Sequence, residues 1–74
     1  MADVAHLDVL LQGDKQWNDW RRVSPDRPDL SGADLFRTDL SSTDLSDANL
    51  CGANLGEAKL VWADLFNADL LNLA

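Results

Sequence analysis

Leucine stands at every fifth position from residue 30 to residue 70: Leu30, Leu35, Leu40, Leu45, Leu50, Leu55, Leu60, Leu65 and Leu70. Two residues before each is a small or compact side chain: Pro28, Ala33, Thr38, Thr43, Ala48, Ala53, Ala58, Ala63 and Ala68. One residue before each is a turn-forming polar group, Asp29, Asp34, Asp39, Asp44, Asn49, Asn54, Asp64 or Asp69, with Lys59 as the exception. The unit is A-[D/N]-L-x-x, repeated nine times over residues 28–72. A period of five suits neither common element, since a helix asks for apolar residues near every 3.6 positions and a strand for alternation by two. On a helix, a step of five turns each leucine about 140° from the last and buries no common face. On one continuous strand it sends successive leucines to opposite sides. The pentad is therefore a unit in itself, with the chain turning a corner once per repeat and stacked units sharing a core.

The first part of the chain has a different pattern. Asp3 is placed to cap a short helix with Val4, Leu7, Leu10 and Leu11 on one face, and Gly13 is a natural stop. Asp14 is placed to cap a second helix with Trp17, Trp20 and Val23 at steps of three, ended by Ser24-Pro25 because a residue before proline disfavours helix. The division is residues 1–27 as a helical cap and 28–74 as the repeat.

Tandem A-[D/N]-L-x-x resembles the hallmark of the pentapeptide-repeat proteins, over 45 of the 74 residues. Leu10-Leu11-x-Gly13 followed by Trp17-Asn18-x-Trp20-Arg21 is similar to the segment that precedes the repeats in many of them. The resemblance implies an all-β solenoid, a right-handed quadrilateral β-helix of about two coils with four pentads per coil, in which Leu and the small residue point inward. Equivalent sides are then twenty residues apart, which stacks Leu30 on Leu50 on Leu70, Leu35 on Leu55, Leu40 on Leu60 and Leu45 on Leu65. Asp44 falls over Asp64 and Asp39 over Lys59. Thr38 and Thr43 bring hydroxyls inward, each needing a partner such as a backbone carbonyl. Two coils with open ends are barely stable. Leu10, Leu11, Trp17 and Trp20 are accordingly expected to form a lid on the first coil, the alternative being a stacking platform for a ligand or base.

Charge narrows the choice of partners. The net charge is −7, of which residues 28–74 hold −6, from eight acids against Arg37 and Lys59. Such a surface repels phosphates and argues against direct nucleic-acid binding. Cys51 is the single cysteine, so the chain forms no internal disulfide; it is read as a bystander or a reactive thiol at an outward position. His6 has no second histidine and no cysteine at metal spacing, and is expected on a helix flank. No stretch reads as a membrane span or secretory signal, and the expected location is the cytoplasm.

No catalytic constellation, cofactor site or metal-ligand spacing is present in the sequence. The aspartates recur with the repeat, which points to turn chemistry and surface charge. Binding information should lie in the two x positions, because packing fixes the inward ones. These are mostly polar in the first coil and turn apolar in the last, at Val61, Trp62, Phe66 and Leu71, with Leu73 where a small residue is due. Such a patch beside an open edge marks an interface. One reading is a protein–protein interaction or assembly module forming a homodimer through this end. The other is a longer solenoid whose next coils cover the same edge. The resemblance adds an alternative function, an acidic mimic of DNA that binds DNA gyrase or topoisomerase. A rod only about 10 Å long by the strand spacing weakens that alternative.

Overall fold

A computed structural model describes residues 1–74. Its regular elements are α1, Val4–Leu11, and α2, Asp14–Val23. From Asp29 onward the chain repeats one local arrangement. The carbonyl of each repeat leucine accepts a hydrogen bond from the N–H three residues on, as from Ala33 to Leu30 at 3.1 Å and from Ala48 to Leu45 at 3.1 Å. The second x residue lies in the left-handed region: Gly32, Arg37, Ser42, Asp47, Gly52, Glu57, Trp62, Asn67 and Asn72 all have φ between 55° and 73°. This is type II turn geometry, which suits glycine and strains other residues. The residue before leucine offsets part of the strain. Asp29, Asp34, Asp39, Asp44, Asn49, Asn54, Asp64 and Asp69 each accept the N–H of the first x residue on the side-chain oxygen, at 2.9–3.2 Å. Asp and Asn recur there because a short side-chain acceptor closes an Asx turn. Lys59 has no acceptor to offer, and its pentad is the one without that bond.

Pentads twenty residues apart lie over one another. Parallel bridges join Asp29 to Asn49, Asp34 to Asn54, Asp39 to Lys59, Asp44 to Asp64 and Asn49 to Asp69. Each bridge is a reciprocal pair, for example Leu45 N–H to the Asp64 carbonyl at 2.8 Å and Asp64 N–H to the Thr43 carbonyl at 3.0 Å. A second-x amide adds another bond per side, as from Asp47 to the Phe66 carbonyl at 2.9 Å. The chain thus returns on itself every four pentads, in the expected register. The continuous strands and sheet of an all-β solenoid are not formed, since the pairings are isolated bridges. The cause is the turn in every pentad, which leaves too few extended residues per side for a ladder.

The leucine core is graded along the coil. Leu30, Leu35, Leu40, Leu45 and Leu50 are fully buried, together with Trp17 and Ala48. Leu55, Leu60 and Leu65 are half-buried. Leu70, expected in the core, is 40% exposed, because it begins a third coil that has no fourth side to close it. Thr43 is buried, its hydroxyl 3.4 Å from the Ser41 carbonyl.

The helices cover the Leu30 end. Asp3 caps α1 by accepting from the N–H groups of Ala5 and His6. The N-cap of α2 is Gly13, with φ 113°, and Asp14 is the first helical residue rather than the cap. Only part of each expected apolar face packs. Leu10 and Trp17 are buried, whereas Leu11 (59% exposed), Val4 and Val23 face solvent. The coil end is narrow, and two short helices lying on it bring only one stripe each into contact.

Candidate interaction surface

The two ends of the coil differ in how their backbone groups are satisfied. At the first coil the upper edge presents free N–H and C=O groups beside each aspartate. Two of the four sides are closed by the cap. On one, Asp29 N–H donates to Nδ1 of His6 at 3.0 Å and its carbonyl accepts from Asp3 N–H at 2.9 Å. On another, the Asp44 carbonyl accepts from Trp17 Nε1 at 2.6 Å and from Arg21 at 2.9 Å, while Asp44 N–H donates to Asn18 Oδ1 at 2.8 Å. Asn18 also donates to the Ser42 carbonyl, and Arg27 Nε to that of Asp47. His6, expected on a helix flank, is a mostly buried cap residue whose ring packs at a tilt against Trp20, 4.9 Å between centroids. Trp17 is wholly enclosed, and the half-buried Trp20 lies against it at 5.0 Å.

Local electrostatics follow the turns. The Ser31 hydroxyl and N–H hold the Asp29 carboxyl below its ordinary pKa. The Ser41 N–H and hydroxyl do the same at Asp39, with a smaller contribution from the charge of Lys59. At Asp44 burial pushes the value up, but the Ser46 hydroxyl and N–H and the charge of Arg21 together outweigh it. The stacked pair Arg37–Glu57 lies at 3.3 Å, and Asn67 donates to Asp47 at 2.9 Å.

At the other end three sides keep unpaired backbone groups. The N–H groups of Leu60, Leu65 and Leu70 and the carbonyls of Ala58, Ala63 and Ala68 make no hydrogen bond within the chain. Around this edge stand Val61, Trp62 (87% exposed), Phe66 (78%), Leu71 and Leu73, all projecting into solvent. Ala74 N–H reaches the Ala53 carbonyl at 3.0 Å, which tucks the chain end under the Leu55 side. Phe36, the other exposed aromatic, rests over Gly56 at a separate corner with Arg37 across its ring at 5.1 Å. Cys51 is half-buried beside Gly52.

The surface hollows are polar. The larger, of about 440 Å³, is lined by Arg21, Ser24, Pro25, Asp26, Arg27, Asp47 and Asn67. No group of three His, Cys, Asp or Glu side chains is placed to hold a metal ion. No helix is long and apolar enough to cross a membrane.

The sequence model of pentapeptide repeats matches residues 33–72 in eight copies, more than half of the chain. The chain belongs to the pentapeptide-repeat family. The match starts one unit later than the pattern in this sequence, yet Pro28–Gly32 makes the same Asx bond and the same bridge as the other units, so the family's repeat extends to it in structure. Neither curated proteins nor solved structures give a match.

Proposed function

We propose that this pentapeptide-repeat chain is a non-enzymatic protein–protein interaction module that associates with itself through its C-terminal coil. In this reading residues 28–74 wind as a right-handed quadrilateral β-helix of about two coils behind a helical cap, residues 1–27, in the cytoplasm. The observation that carries the reading is the difference between the ends. The first coil has the backbone groups of two of its four sides occupied and a tryptophan sealed over its core. The last leaves the same groups free beside Val61, Trp62, Phe66, Leu71 and Leu73. An unpaired edge next to clustered apolar side chains is a template for another chain. Sedimentation equilibrium tests it: association is expected at tens of micromolar, and a clean monomer there rules it out.

The charge of −6 over residues 28–74 supports a second reading, an acidic mimic of DNA that binds DNA gyrase or topoisomerase. Association of two copies through the C-terminal ends lengthens the acidic rod and is compatible with it. Recovery of either enzyme with the tagged chain from the source cell favours the second reading, whereas recovery of the chain itself alone favours the first.

A further inference from the structure

One side of the first coil is held to the cap through an atom that can take up a proton. His6 lies in the first turn of α1 with its side chain 11% exposed, and its Nδ1 accepts the N–H of Asp29 at 3.0 Å. A ring nitrogen that accepts carries a lone pair, so the single proton of the neutral imidazole is on Nε2. That nitrogen faces the Asp3 carboxylate, with Oδ2 3.6 Å away. The carbonyl of Asp29 accepts from Asp3 N–H at 2.9 Å. Asp3 and His6 therefore close the Asp29 side of the edge together, both from the start of α1.

A second proton can enter this ring only at Nδ1, and an imidazolium has two donors and no acceptor. Protonation therefore sets one N–H against another and leaves the part-buried Asp29 amide without a partner. The groups around the ring do not relieve this. From α2 it meets Trp20, which is uncharged, while Arg21 is engaged on the Asp44 carbonyl and Lys15 and Arg22 on Asp19. From the coil it meets the Asp29 carboxyl, which the Ser31 hydroxyl and N–H hold below its ordinary pKa, so it stays ionised while imidazoles titrate. The Met1 ammonium lies beyond, on Ser31 Oγ at 3.0 Å. An imidazolium drawn to the Asp29 carboxylate must leave the amide of the same residue, so that attraction opens the bond as well.

We propose that His6 is a pH-sensitive latch: protonation at Nδ1 breaks its bond to the Asp29 N–H and releases the start of α1 from the coil edge. The docked form binds one proton fewer at this ring than the released form. Docking is therefore complete above the range in which imidazoles ordinarily titrate and is lost as pH falls through it. The rest of the cap stays in place, because Trp17, Asn18 and Arg21 hold the Asp44 side through groups that do not titrate there. Release leaves the N–H and carbonyl of Asp29 unpaired beside those of Asp34 and Asp39, which have no partner in the docked form either. The free edge grows from two consecutive sides to three, and unpaired edges are templates for another strand. The latch is independent of how the C-terminal coil is used.

Hydrogen exchange of the full chain tests the latch. Protection at the Asp29 and Asp3 amides, each relative to an unstructured amide at the same pH, is expected to fall about tenfold between about pH 7.5 and 5.5. Leu45 N–H, bonded within the coil, and Asp44 N–H, held by Asn18, should keep theirs. His6→Asn places an amide oxygen where Nδ1 stands and cannot titrate, so protection at Asp29 is expected to be equal at the two pH values. The imidazole nitrogen spectrum of the wild type serves as the check if that variant does not fold. Nδ1 is expected to lack a proton at about pH 7.5 and to gain it with the midpoint at which Asp29 protection falls. Unchanged protection at Asp29, a fall of equal size at Leu45, a fall that persists in His6→Asn, or a proton already on Nδ1 at the higher pH overturns the proposal.

Discussion

The cap makes a quantitative demand on Trp17. Its side chain is 0% exposed, beneath α1 and over the first leucines, and its Nε1 donates to the Asp44 carbonyl at 2.6 Å. Trp17→Ala removes the largest buried side chain in the molecule, and such truncations cost about 3–5 kcal/mol. The lost hydrogen bond adds about 1 kcal/mol or less, because Arg21 still donates to the same carbonyl and keeps it satisfied. A chain of 74 residues has a total stability of about 4–11 kcal/mol at the usual ~0.05–0.15 kcal/mol per residue. Trp17→Ala should therefore leave the coil near or beyond its stability limit. Trp17→Phe keeps most of the apolar area and should cost roughly 1–2 kcal/mol less than the alanine variant. Trp62→Ala, at an exposed position, should change monomer stability by about 0.5 kcal/mol at most. Urea unfolding followed by far-ultraviolet circular dichroism reads all three, at low micromolar protein so that association does not contribute. A Trp17→Ala chain within about 1 kcal/mol of wild type would show that the coil end needs no lid, and the argument for the cap would fail.

Two further outcomes follow from local geometry. A Cβ on Gly56 would lie 2.9 Å from Phe36 Cδ1 and 3.0 Å from Asn54 Oδ1. Gly56→Ala should therefore destabilise by about 1 kcal/mol, and Phe36→Ala in the same chain should recover part of that loss in a double-mutant cycle; a cost that is additive with Phe36→Ala refutes the contact. The Asp29 carboxyl is held below its ordinary pKa by Ser31. A depressed folded value means that its stabilisation is complete above the unfolded value near 3.9 and is lost as pH falls through the folded one. Asn at that position can accept from the Ser31 amide but cannot titrate, so Asp29→Asn should flatten the acid limb of stability between about pH 5 and 2. Urea midpoints across that range check it, and equal slopes for the two chains would refute it.

The leucine period was legible in the sequence for a physical reason, since a core of one large and one small side chain per pentad leaves no freedom at those positions. The register of twenty residues came instead from the resemblance to the pentapeptide-repeat proteins, which implies a return of four units. The aspartate column was legible as turn chemistry because Asp and Asn have few other reasons to recur at one phase. The cap was legible only in outline. Trp17 and Leu10 stand out by size, but the hydrogen bonds of His6, Asn18, Arg21 and Arg27 end on backbone groups, and a backbone acceptor leaves no matching residue to search for. The exposure of Leu11, Val4 and Val23 depends on how two short helices tilt on a narrow end, which helical periodicity does not specify. On the C-terminal side, Val61, Trp62 and Phe66 were legible as departures from polar x positions. The free amides beside them were not, because every pentad has the same backbone and only position in the stack decides which groups stay unpaired.

In a coil of identical units each edge exposes the same set of donors and acceptors, so what distinguishes the ends must come from residues outside the repeat rule. At the Leu30 end these are the helices, whose side chains consume the backbone groups on two sides and whose tryptophan seals the core. At the other end the departures are a lysine in the aspartate column and apolar residues at outward positions. Neither stabilises an isolated coil. Lys59 loses an Asx bond, and Trp62 holds a bulky side chain at φ 63° in full view of water. A local cost of this kind without a local gain is expected where a residue serves a contact with another molecule. Both departures fall on sides whose backbone edges are free, so the local costs and the unpaired groups coincide.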